Sequence, residues 1–242
     1  MPDHLDQQYP VPKADSWKMF NRISDRYDLL NRLLSLGMDL SWRKRLARCL
    51  PDKTDLKLLD LATGTGDVLI ILAQCTPRLK EGVGLDMAVK MLDVGRKKII
   101  KKGLDDRLAL RTADAHQIPF PGESFDCTTI AFGIRNMDDP LVALKEMVRV
   151  LRPGGRSLIL EFSFPRNRLL KAGHLIYLRT VVPALGWLLS GEYKAYKYLN
   201  ATIEEFPYGD AFCQLMKEAG FMAVKAHPLL FGVATIYQGD KA

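Results

Sequence analysis

The chain has 242 residues, 48% of them apolar. That is enough for one α/β domain with an insertion and a full core, and it excludes a disordered chain. Thirty-five Lys and Arg against 28 Asp and Glu leave a net charge of +7, which suits an anionic membrane surface or nucleic acid without choosing between them. Four cysteines at 49, 75, 127 and 213 and four histidines at 4, 116, 174 and 227 form no close pairs, so zinc-ligand spacing is absent and reduced thiols in a cytosolic protein without metal are expected.

The first residues, Met1-Pro-Asp-His-Leu-Asp, lack the basic-then-apolar order of a signal peptide, and residues 1–15 are expected to be disordered. From 16 to 50, Trp17, Phe20, Ile23, Tyr27, Leu30 and Leu34 recur every three or four residues behind Asp15 and Ser16, which predicts a helical extension. Strands and helices then alternate: strand 57–62, helix 67–75, strand 81–86, helix 88–102, strand 107–113, strand 125–132, helix 139–151 and strand 156–162. A turn at Arg152-Pro-Gly-Gly155 joins the last two. Such alternation gives a parallel sheet covered by helices on both faces.

Residues 165–206 break this rhythm. Arg166, Arg168, Lys171, Arg179, Lys194 and Lys197 sit among Leu169, Leu170, Leu175, Ile176, Tyr177, Leu178, Trp187 and Leu188, the pattern of a helical lid. Helix 208–219 and strands 221–227 and 231–237 complete the sheet, the last two close enough to pair as a hairpin. The longest apolar stretch, Val181 to Leu189, contains a proline and a glycine and falls short of the roughly 18 residues of a membrane span. Residues 16–242 therefore read as one domain, with an extension at 16–50 and a lid at 165–206.

The chemistry concentrates at strand ends. Lys57-Leu-Leu-Asp-Leu-Ala-Thr-Gly-Thr-Gly-Asp67 is a strand running through a glycine turn into a helix, and Val83-Gly-Leu-Asp86 ends the next strand in an acid placed to bind ribose hydroxyls. The third glycine of a dinucleotide fingerprint would fall at position 69, which is Leu69, and no Gly-Lys-Ser/Thr phosphate loop is present. A nucleoside without pyrophosphate is favoured, and S-adenosylmethionine is the commonest such ligand. Ala113-Asp114-Ala115-His116 supplies a third strand-end acid. The natural assignments are Asp114 to the adenine amino group, Asp86 to the ribose diol and Asp60 near the methionine ammonium, with helix or turn capping the alternative for each.

The glycine loop, Asp86, the Ala-Asp-Ala-x-x-Ile-Pro-Phe-Pro segment, Phe132-Gly-Ile-Arg-Asn136 and Leu151-Arg-Pro-Gly-Gly155 together resemble the class I S-adenosylmethionine-dependent methyltransferases. Within these, the chain resembles the ubiquinone/menaquinone biosynthesis C-methyltransferase family from Tyr27-Asp-Leu-Leu-Asn31 to the final strands. The resemblance implies a Rossmann-like α/β fold: a mostly parallel seven-stranded sheet with a late antiparallel strand. It implies S-adenosylmethionine as methyl donor, and a cofactor set of Asp60, Gly64, Thr65, Gly66, Asp86, Met87, Asp114, Ala115 and Ala131. The last departs from the serine often found there.

The same resemblance puts Arg135, Asn136 and Tyr27 at the reaction centre. Arginine is a poor proton acceptor, so Arg135 is assigned to stabilising a developing phenolate or orienting a water. A salt bridge holding its loop is the alternative for Arg135, core packing for Tyr27. His116 is a candidate base with a solvent-facing alternative. Trp17, Phe20, Trp187 and Tyr177 could wall a tunnel for an isoprenoid tail or be plain core. The implied substrate is a polyprenyl quinol, a demethylmenaquinol ahead of the ubiquinol precursor. The enzyme is expected in the cytoplasm, transiently and peripherally on the inner face of the membrane through the 165–206 segment, with a homodimer left open. Nucleic acid is not an expected partner, because Arg96-Lys-Lys-Ile-Ile-Lys-Lys102 reads as a solvated helix face. A nucleic-acid methyltransferase, prompted by the positive charge, and a non-catalytic donor-binding or quinone-binding accessory protein are the remaining alternatives.

Overall fold

A computed structural model describes residues 12–184 and 193–242, with side chains of 193–196 also outside the description. Trp187 and Leu188 therefore lie outside the described residues, as do residues 1–11; Lys13–Asp15 form one 3₁₀ turn.

Seven strands form one sheet in the order β3-β2-β1-β4-β5-β7-β6. They are β1 (Leu56–Leu61), β2 (Leu79–Asp86), β3 (Leu108–Thr112), β4 (Phe125–Ala131), β5 (Leu151–Phe162), β6 (Met222–Leu229) and β7 (Ala234–Asp240). β1 pairs in parallel with β2 and β4, and β4 with β5, whereas β7 runs antiparallel to both β5 and β6. The chain winds from β1 outward through β2 and β3, then returns to the other side of β1 with β4. Loops leaving the carboxyl ends of β1 and β4 therefore diverge, and the crevice between them is where such sheets take ligands.

Period-two alternation decides which helix meets which face. Leu58 of β1 joins a core with Leu46 of α2 (Met38–Leu46), Leu69 and Leu72 of α3 (Asp67–Cys75) and Leu92 and Ile99 of α4 (Val89–Lys101). Leu59 and Leu61 face a second core with Leu144 and Met147 of α5 (Pro140–Val150) and Phe212 and Met216 of the last helix. A third cluster caps the carboxyl edge. It joins Met19 and Leu30 of α1 (Ser16–Leu34) to Phe164, just after β5, and to Leu178, Val182, Tyr198 and Ile203 of the inserted segment. That segment comprises α6 (Arg168–Ile176), a π turn (Tyr177–Val181) and α7 (Tyr193–Glu205); α8 (Asp210–Glu218) follows. Among the described residues no helix is long and apolar enough to cross a membrane.

The 16–50 extension is helical, as α1 and α2 joined by a turn through Leu36 and Gly37, both at positive φ. Two other expectations are revised. Arg152-Pro-Gly-Gly155 does not separate helix from strand, because β5 already begins at Leu151, which pairs with Phe125. The register slips before Cys127 meets Arg156, so the dipeptide of glycines is absorbed as an irregularity inside the strand. The last strand starts at 234 rather than 231, since Leu230–Gly232 form the hairpin's 3₁₀ turn.

Candidate active site

Two cavities meet at the crevice. The first, about 270 Å³, is lined by Gly64, Asp86, Met87, Asp114, Ala115 and Ala131 among others. Six of the nine predicted cofactor residues are thus brought together from four different strand ends. Asp86 organises the cavity: one carboxylate oxygen accepts the Gly64 N–H at 2.8 Å and the other the Ala88 N–H at 2.8 Å. Each oxygen keeps lone-pair capacity for a diol. Burial pushes this carboxyl above its ordinary range, against the pull of those backbone donors.

Asp114 is the exposed acid. Partial burial raises it, but the backbone and ring N–H of His116 outweigh that and hold it below the usual carboxylate range. His116 Nδ1 lies 2.7 Å from Asp114 Oδ1, and its Nε2 accepts from the Asp139 N–H at 3.4 Å. With both ring nitrogens engaged, His116 is a brace between two loops and offers no vacant nitrogen for base work.

Asp60, Thr65 and Gly66 do not line this cavity. Asp60 is fully buried inside β1, and its two oxygens accept from the hydroxyls of Thr63 and Thr129, each at 2.6 Å. It ties the glycine loop to β4 and shapes the cavity from behind. Thr65 turns its hydroxyl toward α1, donating to Asp28 at 2.6 Å and accepting from Lys98 at 3.1 Å. Lys98 and Arg32 reach Asp67 from opposite sides, Arg32 continues to Asp39, and Arg43 closes on Asp39. This chain of ion pairs clamps α1 and α2 over the glycine loop. Gly66 serves as the left-handed entry to α3 at φ 75°.

Burial pushes the Asp60 carboxyl up to about 7, against its two hydroxyl donors. A raised acid holds its proton in the native state where the unfolded chain has released it, so its stabilising contribution is complete below about pH 4 and is lost as pH rises to about 7. Asp60→Asn, which keeps the shape and does not titrate, is expected to gain stability relative to the parent as pH rises through that interval. Urea unfolding at several pH values checks this, and a pH-independent difference between the two would contradict it.

The second cavity, about 260 Å³, is mostly apolar and runs between α1, α2 and the inserted segment. Phe20, Tyr27, Phe132 and Asn136 line both cavities, so one wall is common to the two. Close packing at the switch point positions it: a Cβ on Gly133 would sit 2.5 Å from that of Ala62. Only glycine lets the β1 and β4 loops approach this closely.

Arg135 lines the second cavity from a 3₁₀ turn, Ile134–Asn136. Its Nη1 donates to Phe132 O at 2.6 Å and to Glu161 Oε1 at 2.8 Å, and the guanidinium lies 5.2 Å over the Phe162 ring. The loop-holding salt bridge therefore exists, and Arg135 faces the cavity as well. Its Nε, Asn136 Oδ1 and Glu161 Oε2 are buried without hydrogen-bond partners. Burial pushes Glu161 above the ordinary carboxylate range, with Arg135 opposing. Burial likewise raises the Tyr27 phenol.

Of the aromatic candidates, Phe20 and Tyr177 line the apolar cavity, while Trp17 lines the first cavity instead. Sequence reasoning missed Glu161, Asp39, Arg43 and His174. The first two are single acids in otherwise apolar or basic stretches, which is the available signal. His174 lines the apolar cavity with Nε2 buried and without a partner, and it gave no signal at all.

A doubly wound sheet closing on one antiparallel strand, with an acid at the end of β2 buttressing a glycine turn, defines a class I S-adenosylmethionine-dependent methyltransferase. The donor fits the first cavity, where small residues at Gly64 and Ala131 leave room beside the two oxygens of Asp86. The chain belongs to the ubiE/COQ5 methyltransferase family, whose model matches residues 10–241. It is 45% identical over 223 residues to the ubiquinone/menaquinone biosynthesis C-methyltransferase UbiE of Geobacter sulfurreducens, covering 92% of this chain and 87% of that one. It is 46% identical over 223 residues to the demethylmenaquinone methyltransferase of Thermus thermophilus, covering 92% and 100%. A solved S-adenosylmethionine-dependent methyltransferase of Thermotoga maritima superposes with a TM-score of 0.65 at 21% identity, over 93% of this chain and 99% of that one. The fold, the donor and the family expected from the sequence all hold.

Proposed function

We propose that the chain methylates a ring carbon of demethylmenaquinol, a polyprenyl naphthoquinol, to give menaquinol. The observation that carries this reading is the common wall of Tyr27 and Asn136 between a cavity that holds Asp86 and Asp114 and a second, mostly apolar one. S-Adenosylmethionine supplies an electrophilic methyl in the first cavity, and the ring lies in the second. Alignment of the two across that wall does most of the catalytic work.

A ring carbon attacks the methyl, releasing S-adenosylhomocysteine as the neutral thioether, only as its neighbouring hydroxyl gives up a proton to water. The methylated carbon then loses its own hydrogen as a proton while the oxygen regains one, which restores the aromatic ring. The unpartnered Asn136 Oδ1 is suited to accept that hydroxyl's hydrogen bond, and the Arg135 Nε–H to donate to the oxyanion as charge develops. Glu161 holds the guanidinium flat against Phe162 and prevents Arg135 from adding a full uncompensated charge to an apolar cavity. Asp86 would take the ribose diol, with Met87, Asp114 and Ala115 around the base. The enzyme works in the cytoplasm and meets its substrate on the inner face of the membrane, docked peripherally through the basic and apolar insertion at 165–206.

The test supplies methyl-labelled S-adenosylmethionine with chemically reduced naphthoquinols and benzoquinols in detergent. Label on the naphthoquinol ring is expected. Label on the benzoquinol alone would move the assignment to the ubiquinol precursor, and label on no quinol would end it.

A further inference from the structure

The apolar cavity has a rim made by two tight turns. Leu34, Leu36, Leu230 and Val233 all line it, yet Leu36 is 78% exposed and Phe231, beside Leu230, is 79% exposed. Leu36, Leu230 and Phe231 all have left-handed backbone, φ 52°, 43° and 56°. Left-handed backbone disfavours such side chains, and here it turns large apolar groups outward into water. Neither turn is loose. The Tyr177 hydroxyl donates to Leu34 O at 2.7 Å, the Ser163 hydroxyl donates to Gly232 O at 2.7 Å, and a Cβ on Gly232 would meet Pro165 Cα at 3.3 Å.

Pro165 leads directly into α6, whose first turn exposes Leu169 (84%) and Leu170, with Arg166 and Arg168 exposed alongside. From 162 to 191 the sequence contains no Asp or Glu. Apolar tips around an opening, accompanied by guanidinium groups in an acid-free stretch, match the layered chemistry of a bilayer surface, where phosphates lie above acyl chains. A partner protein would be expected to meet a continuous apolar patch, whereas these tips stand on separate turns about a hole.

We propose that this rim inserts into an anionic lipid leaflet, with Leu36, Leu230, Phe231 and Leu169 in the acyl boundary and Arg166 and Arg168 on lipid phosphates. The cavity mouth then opens into the membrane, and a polyprenyl tail passes between bilayer and cavity without crossing water. The inference rests on the quinol reading above. It adds the entrance and places two of the anchoring elements, the 34–37 and 229–232 turns, outside the 165–206 insertion.

The test uses the full chain and a double variant, Phe231→Asp with Leu169→Asp, neither of which lines the cavity. Co-sedimentation with vesicles of phosphatidylglycerol and phosphatidylcholine is compared with phosphatidylcholine alone. The parent is expected to bind the anionic vesicles, and the variant to bind them at least about tenfold more weakly. The variant is also expected to keep its unfolding midpoint and its turnover of a short-tailed naphthoquinol in solution, and to lose turnover of a long-tailed quinol presented in vesicles.

Equal vesicle binding by parent and variant would overturn the proposal, as would equal binding to neutral vesicles. A variant that changes from dimer to monomer with vesicle binding intact would make the rim a self-interface and overturn it too. Rim-dependent vesicle binding by a parent that methylates no quinol would leave the rim standing and sink the quinol reading instead.

Discussion

Asp86→Ala is expected to weaken S-adenosylmethionine binding by about 10²- to 10⁴-fold, because it removes two charge-assisted hydrogen bonds worth roughly 1.5–3 kcal/mol each. It also strips the acceptors from the N–H groups of Gly64 and Ala88, so the glycine turn loses the brace that fixes its distance from β2. Asp86→Asn should fall between, since the amide keeps one acceptor oxygen. Calorimetric titration of the three proteins with the donor measures this, with circular dichroism as the check on folding. Unchanged affinity in a folded Asp86→Ala protein would remove the ribose assignment.

Arg135→Ala separates chemistry from architecture. Loss of an oriented donor to a developing oxyanion is expected to lower kcat by about 10²- to 10³-fold, while donor affinity stays within about twofold because Arg135 does not line the first cavity. The same change leaves Glu161 buried and unpaired, at a cost of about 3–5 kcal/mol of stability. Adding Glu161→Gln removes that charge, so the double variant should regain stability without regaining turnover. Unfolding curves and steady-state kinetics on both variants test the pair of expectations. Recovery of turnover together with stability would reduce Arg135 to a prop for its loop.

Much of the fold was legible because its signals are local. The apolar runs of β1 and β4, the glycine turn and the helical spacing of α3 and α5 each specify their own conformation, and Asp67–Cys75 agrees to the residue. Asp86 was legible for the same reason, an acid closing an apolar strand one βαβ step after a glycine turn. The partnerships were not. Asp60 and Asp86 look alike as strand acids, and only the tertiary position of the Thr63 and Thr129 hydroxyls decides that Asp60 faces inward to the protein. Thr65 likewise turns to Asp28, 37 residues earlier in the chain. Arg152-Pro-Gly-Gly155 reads as a break because proline and glycine end helices, yet pairing of Leu151 with Phe125 extends the strand through it. The Ala62–Gly133 approach that sets the common wall joins two loops with no pattern linking them.

A crystal structure of the chain with S-adenosylhomocysteine and a short-tailed naphthoquinol analogue bears most directly on transfer across the Tyr27–Asn136 wall. The ribose hydroxyls are predicted on the two oxygens of Asp86, the sulfur facing that wall, and the ring on its far side with one oxygen near Arg135 and Asn136. A sulfur pointing away from Asn136, or a quinol bound outside the apolar cavity, would contradict it.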